Sequence, residues 1–174
     1  MRTKNGVRLQ VALVGGAGSA TVDQIFELIR ADWTALGVDV ETRRYIASIF
    51  FGDDPQTGIL KGGKFDAAFF SYGQLRASTL EGSFSCKNLP PNGTNYSRTC
   101  DPALEALFTK YDATYDPAAM KTIARAIQQR LNVLLPVIIV TKRNEYYIID
   151  AKVTGLKIPP FSPFSGSRDA DVMK

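Results

Sequence analysis

The chain has 174 residues, 45 % of them apolar and 22 % charged, which fits one folded domain with a real core and excludes disordered and fibrous classes. Its formal charge of +4 comes from 21 Lys and Arg against 17 Asp and Glu scattered along the sequence, so the basic stripe of a nucleic-acid reader is missing. Histidine is absent, which removes the usual general base, zinc ligand and activator of Ser or Cys nucleophiles together. No enzyme activity, metal or cofactor is expected.

In chain order, Met1 to Gly6 reads as a turn rather than a signal peptide, since a strand-like segment follows and no small-residue cleavage site ends it. Val7 to Val14 predicts a strand running into Gly15-Gly16-Ala17-Gly18. From Thr21, Val22, Ile25, Phe26, Ile29, Trp33 and Leu36 share one helical face, with Thr21 and Gln24 as a capping box and Gly37 as the stop. Val38 to Thr42 predicts a second strand, which makes the opening a β–α–β unit with parallel strands and fixes an α/β class. A third strand is expected over Phe65 to Tyr72, ending at Gly73.

Asp101-Pro102 and Asp116-Pro117 each announce a helix, with Asp as N-cap and Pro at the first helical position. The first buries Leu104, Leu107, Phe108 and Tyr111; the second buries Met120, Ile123, Ala124, Ile127 and Leu131. Val137 to Thr141 is a fourth strand candidate and Val153 to Ile158 a fifth. The apolar stretch Val133 to Val140 is too short to span a bilayer and is broken by Pro136. Beyond it, Pro159-Pro160-Phe161-Ser162-Pro163-Phe164-Ser165 has no periodicity, and its phenylalanines need a partner surface.

Three segments carry candidate chemistry. The glycine run from Gly15 to Gly18 lies between strand and helix, with Glu41 expected at the end of the next strand, as in a dinucleotide-binding unit; counted from Gly16, however, the last small residue is replaced by Thr21. A nucleotide-binding, Rossmann-like enzyme domain is therefore the alternative, against a turn at a pocket rim that offers Gly16 and Gly18 to a solute. Ser71-Tyr72-Gly73-Gln74-Leu75-Arg76 leaves a strand's carboxyl end, where open α/β sheets bind ligands. There Ser71, Gly73 and Gln74 can line a site, Tyr72 can stack on a ligand and Arg76 can pair with a carboxylate. Cys86 and Cys100 flank a loop rich in Pro, Gly and Asn, and their spacing leaves a disulfide and two free thiols equally open.

Lys4-Asn5-Gly6-Val7-Arg8-Leu9, Arg30-Ala31-Asp32-Trp33, Leu36-Gly37-Val38-Asp39-Val40, Gly63-Lys64-Phe65-Asp66, Cys86 to Pro102, Leu135-Pro136-Val137 and Val153-Thr154-Gly155, in this order, resemble the C-terminal lobe (domain III) of family 5 extracellular solute-binding proteins of ABC importers. These are receptors for peptides, nickel and oligosaccharides. The resemblance implies a periplasmic-binding-protein-like lobe, a mixed sheet with helices packed on it, spanning 1–155. An irregular extension over 156–174 would return to an N-terminal lobe. It further implies a Cys86–Cys100 disulfide, a periplasmic or extracellular location, a small solute such as a peptide, and permease subunits as partners of the whole receptor.

Two residues depart from the dipeptide receptors that the cysteine loop resembles. The aspartate that would pair with a ligand amine falls at Leu75, and the arginine that would meet a ligand carboxylate falls near Gly16. A free dipeptide held by both termini is thus not expected, because an unpaired buried charge costs several kcal/mol.

Overall fold

In the computed structural model, which describes residues 1–71, 77–141, 147–157 and 170–172, the chain divides into two units, Met1–Pro136 and Val137–Lys174, and each is taken by itself. The first unit opens with a hairpin of β1 (Thr3–Lys4) and β2 (Val7–Arg8) around Asn5 and Gly6. Both turn residues have positive φ, 52° and 79°, the geometry that Asn-Gly adopts at least cost in a two-residue hairpin. The single strand expected over Val7 to Val14 is therefore broken at Leu9, and β3 runs from Gln10 to Gly16.

Gly18, at φ +94°, turns the chain into α1 (Ala20–Ala35), and the Ser19 hydroxyl accepts a hydrogen bond from the Val22 amide. The helix thus starts two residues before the expected Thr21–Gln24 capping box, which leaves Thr21 inside the first turn and the box unformed. At the other end Val38 N–H donates to Trp33 and Gly37 N–H to Thr34, a paired closure that the φ of +86° at Gly37 permits.

β4 (Asp39–Tyr45) and β5 (Ala67–Phe69) flank β3 in the order β4-β3-β5, all parallel. The third strand is shorter than expected because Asp66 engages β3 differently: its carboxylate accepts from the Ala12 amide at 2.8 Å while its own N–H donates to the Ala12 carbonyl. Along each strand, alternate residues separate two layers. Gly15, Arg44 and Phe69 meet Phe26 of α1 on one face. On the other, Val14 packs with Phe50 of α2 (Ala47–Phe50) and with Ile59 and Leu60 of α3 (Ile59–Gly62), bordered by Tyr45, Phe65, Ala68, Phe70 and Tyr96.

After α4 (Ala77–Phe84) and the cysteine loop come α5 (Pro102–Asp112) and α6 (Pro117–Leu134), capped by Asp101 and Asp116 as expected. The aspartate caps accept from Leu104 N at 2.8 Å and Ala119 N at 2.7 Å. Leu104, Phe108, Ile123 and Ile127 are buried, and the remaining expected core positions of both helices are half-buried. Arg130, near the end of α6, forks onto both carboxylate oxygens of Asp101 at 2.8 and 2.5 Å, so the two helices run antiparallel.

In the second unit the expected fourth strand is not formed. Val137 to Thr141 has no ladder partner among the described residues, and Ile138 and Ile139 are 79 % and 78 % exposed. β-Branched composition favours a pleated surface only where a neighbouring strand and a cover exist. The fifth shrinks to β6 (Val153–Thr154), which pairs antiparallel with β7 (Asp171–Val172). Ile158 and the segment Pro159 to Ser165 lie outside the described residues. Among those described, no helix is long and apolar enough to cross a membrane.

This packing has measurable consequences at the glycine turn. A Cβ on Gly15 would lie 2.5 Å from the Phe26 ring and 3.1 Å from the Phe69 carbonyl, whereas one on Gly16 meets nothing within 4 Å among the described residues. Urea denaturation of Gly15→Ala is expected to show a loss of about 1–3 kcal/mol, and that of Gly16→Ala a change within about 0.5 kcal/mol.

The Arg130 guanidinium, with help from the Leu104 amide, holds the Asp101 carboxyl at about 2. Because an unfolded aspartate titrates near 3.9, the stability this pair contributes is complete above about pH 4 and disappears as pH falls through about 2. Arg130→Met should therefore lose stability less steeply than the parent between about pH 4 and 2, read by denaturant titration at each pH. Equal slopes would rule the pair out as a source of acid sensitivity.

Candidate functional site at the carboxyl edge of the sheet

Because β3, β4 and β5 are parallel, they release the chain at one edge, at Gly16, Tyr45 and Phe69 respectively. β3 lies between the other two, with α1 packed on one face and α2 and α3 on the other, so the connections part at this edge, which is where open α/β sheets bind ligands. At this edge Gly16 is half-buried, Ala17, Gly18 and Ser19 are exposed, and Ser71 stands exposed just beyond β5. A Cβ on Gly18 also meets nothing within 4 Å among the described residues, so none of those residues needs a glycine at 16 or 18 to make its approach. Tyr72, Gly73, Gln74 and Arg76 lie outside the described residues.

The turn Gly16–Ser19 is tied down from β4. Ala17 N–H donates to the Tyr45 carbonyl at 2.8 Å, and Arg44 Nε donates to the Gly16 carbonyl at 3.0 Å. The Arg44 guanidinium lies 4.2 Å from the centre of the Phe26 ring, and its Nη2 is 2.7 Å from Asp23 Oδ1. Beside Tyr45 the edge continues as an apolar rim of Ile46, Ile49 and Phe51, all more than two-fifths exposed. Phe51 meets Phe50 and Phe70 edge-on, at centroid distances of 4.8 and 6.0 Å.

Sequence reasoning passed over Arg44 and this rim. Arg44 was visible in principle, since it falls on the same strand face as Val40 and Thr42, where a charged residue needs a partner. The rim had no periodic signature, because α2 is a single turn.

Two features expected of a nucleotide site are corrected. Glu41 is not at the end of its strand: it pairs with Ala12, four residues before Tyr45, and its carboxylate is forked by Arg43 at 2.7 Å through both oxygens. The first turn of α1 also carries Asp23, whose charge opposes a phosphate at that helix end. Among the described residues, no group of three or more Cys, Asp or Glu is placed to hold a metal ion.

Cys86 and Cys100 are joined by a disulfide, as the family resemblance implied. The loop between them, rich in Pro, Gly and Asn, is held by side-chain hydrogen bonds as well. Asn95 is 0 % exposed, and its amide donates to the carbonyls of Ser85 at 2.9 Å and Thr99 at 2.7 Å while its Oδ1 accepts from the Ser97 hydroxyl. Glu105 of α5 accepts from the Ser85 hydroxyl and the Cys86 amide, and Lys61 donates to the Pro91 carbonyl at 2.8 Å. Tyr96 from this loop reaches Phe70, with ring centroids 6.1 Å apart, and so connects the loop to the carboxyl end of β5.

No protein-family model and no curated protein matches the chain. Solved structures do. The Escherichia coli murein tripeptide binding protein MppA superposes with a TM-score of 0.70 at 18 % identity, over 98 % of this chain and 32 % of that one. The Bacillus subtilis oligopeptide-binding protein AppA, in complex with a nonapeptide, gives 0.70 at 15 %, over 99 % of this chain and 33 % of that one. Campylobacter jejuni NikZ, in complex with Ni(L-His), gives 0.63 at 16 %, over 77 % and 26 %. The fold is periplasmic-binding-protein-like. The chain spans about a third or less of the length of each of these structures.

The loop's two restraints can be separated. Replacing both cysteines by serine is expected to cost about 3 kcal/mol. Asn95→Ala, with the disulfide intact, should cost about 1–3 kcal/mol, because the Thr99 carbonyl loses its donor and the Ser85 carbonyl and Ser97 hydroxyl keep only their bonds to Asn88 and Thr99. Denaturant titration of both variants is the check; an Asn95→Ala protein as stable as the parent would show that Asn95 adds nothing to the disulfide and to the Glu105 and Lys61 bonds.

Proposed function

We propose that this chain is the C-terminal, ligand-binding lobe of a solute-binding protein of an ABC importer, with a peptide as its solute, and that it catalyses nothing. The observation that supports this most is the open carboxyl edge at the crossing point of a three-stranded parallel sheet, in a fold shared along nearly the whole chain with MppA and AppA. In this reading Gly16, Gly18, Ser71, Tyr72, Gly73, Gln74 and Arg76 face the solute, and the receptor works by hinge closure of two lobes. Residues 1–155 form the lobe and 156–174 return to its partner. The exposed Ile138, Ile139, Ile148 and Ile149 fit such a return, because so much apolar surface in one stretch calls for a cover. The receptor acts outside the cytoplasm, where the Cys86–Cys100 disulfide persists, and hands its solute to permease subunits.

At the described edge the carboxylate beside the turn, Asp23, is engaged by Arg44, so neither is free to hold a peptide's termini, and Leu75 takes the place of the family's amine-binding aspartate. The solute is therefore held by backbone hydrogen bonds, by stacking on Tyr72 and by Arg76, rather than by two terminal ion pairs.

The test is a full-length receptor with both lobes, purified without refolding, whose bound solute is identified by mass spectrometry. A peptide is expected, and re-adding it at about 100 times its dissociation constant should stabilise the receptor by about 2.7 kcal/mol in a thermal-shift assay. Tyr72→Ala and Arg76→Ala should each weaken that binding. Calorimetric titration with NAD and ATP should show nothing; micromolar binding of either would reinstate the nucleotide alternative.

A further inference from the structure

The Gly16–Ser19 turn is exposed over most of its length, contains two glycines, and leaves the β3–β5 ladder behind at the Gly15–Phe69 pair, one residue before it begins. A segment of that composition samples many conformations unless something outside it selects one. The strand β4 supplies that restraint through Arg44, whose side chain is only 20 % exposed although it carries a charge. Nε donates to the Gly16 carbonyl, the guanidinium covers Phe26, and Nη2 lies beside Asp23 in the first turn of α1. Nη1 and Nη2 are enclosed, with no aligned hydrogen bond among the described residues. Burying two guanidinium nitrogens so incompletely paired is unfavourable on its own, and a methionine would pack on Phe26 without that penalty.

We propose that Arg44 is a positioning residue: it links β4, the first turn of α1 and the Gly16 carbonyl, and thereby fixes the one conformation in which the turn meets a solute. Lysine cannot reproduce the arrangement, because its ammonium is a point charge without a planar face for Phe26 or a second nitrogen for Asp23. It can still donate to the Gly16 carbonyl, so it rescues in part. The restraint on the turn stands on geometry alone; its importance for ligand binding rests on the solute-binding reading.

Amide hydrogen exchange, resolved by residue in the 174-residue chain, tests the restraint. In Arg44→Met the Ala17 amide should exchange about tenfold faster or more, as expected when one charge-assisted hydrogen bond is lost, while Leu13 and Val14 in mid-strand stay as protected as in the parent. Arg44→Lys should fall between the two. Asp23→Asn, which leaves the Phe26 stack and the Gly16 bond in place, should accelerate Ala17 by less than Arg44→Met does. Unchanged exchange at Ala17, or acceleration shared equally by Leu13 and Val14, overturns the proposal. If Arg44→Met does not fold, Asp23→Asn and Arg44→Lys decide it by the same comparison. In the two-lobed receptor, tri-alanine and tri-leucine serve as probes. Weaker binding in Arg44→Lys supports the link to the site, and equal binding overturns it. If the parent receptor binds neither probe, the peptide reading fails while the exchange result still stands or falls by itself.

Discussion

Phe26 can reach the backbone of β3 only because residue 15 has no side chain, and the arrangement of helix, sheet and glycine turn in the first unit depends on that approach. The ring fills the space a Cβ would take, 2.5 Å from where it would sit, and meets Phe69 of β5 edge-on with centroids 5.9 Å apart. One side chain from α1 thus contacts the central strand and one neighbour, and Arg44 from the other neighbour lies across it. Helix-to-sheet distance, the position of the first helical turn and the direction of the Gly16 carbonyl are set together. A fingerprint for phosphate would use glycines so that a ligand could approach the backbone. At Gly15 the protein's own aromatic ring occupies that approach.

The opposite face is organised by aromatic contacts that begin in the core and end at the rim. Val14, Phe50 and Leu60 are buried, Phe70 and Tyr96 border them, and Phe51 emerges at the carboxyl edge. Through Tyr96 this layer is continuous with the cysteine loop, whose shape is fixed by Asn95 and by Glu105 of α5 as well as by the disulfide. Burial of the Tyr96 phenol, with Asp53 nearby, pushes its titration up, so it stays a neutral ring throughout the physiological range. The loop is therefore a strut between α5 and the end of β5.

How much of this was legible in the sequence varied with the range of the interaction. The helices capped by Asp101 and Asp116 could be read because their signals are local: a cap, a proline and a stripe of apolar residues all lie within a few turns. The β–α–β opening was readable for the same reason. The start of α1 was misplaced because Gly18 and Ser19 outcompeted a capping box of equal local merit. Val137 to Thr141 was misread because strand formation depends on a partner that composition cannot supply. Asn95 and Arg44 act across 10 and 28 residues of sequence respectively, through carbonyls that any residue would offer, and no pattern at one position announces such bonds.

The candidate site shows the same division. The sequence pointed to a carboxyl edge because a β–α–β opening implies parallel strands, and the fold has such an edge; that a solute meets it is the proposal. The chemistry of that edge could not be read, since the residues with the most pointed side chains follow the end of β5 in sequence while the described edge offers a glycine turn, an apolar rim and no unpaired charge. Such an edge gives little electrostatic selectivity of its own. Where charges are absent, discrimination among solutes depends on how rigidly a few hydrogen-bonding and stacking groups are held, since freezing them during binding would cost affinity. A turn restrained from β4 and the first turn of α1, and a loop restrained by buried hydrogen bonds, supply that rigidity in the chain itself, so under the proposed solute-binding reading the supports of this edge matter as much as the residues that line it.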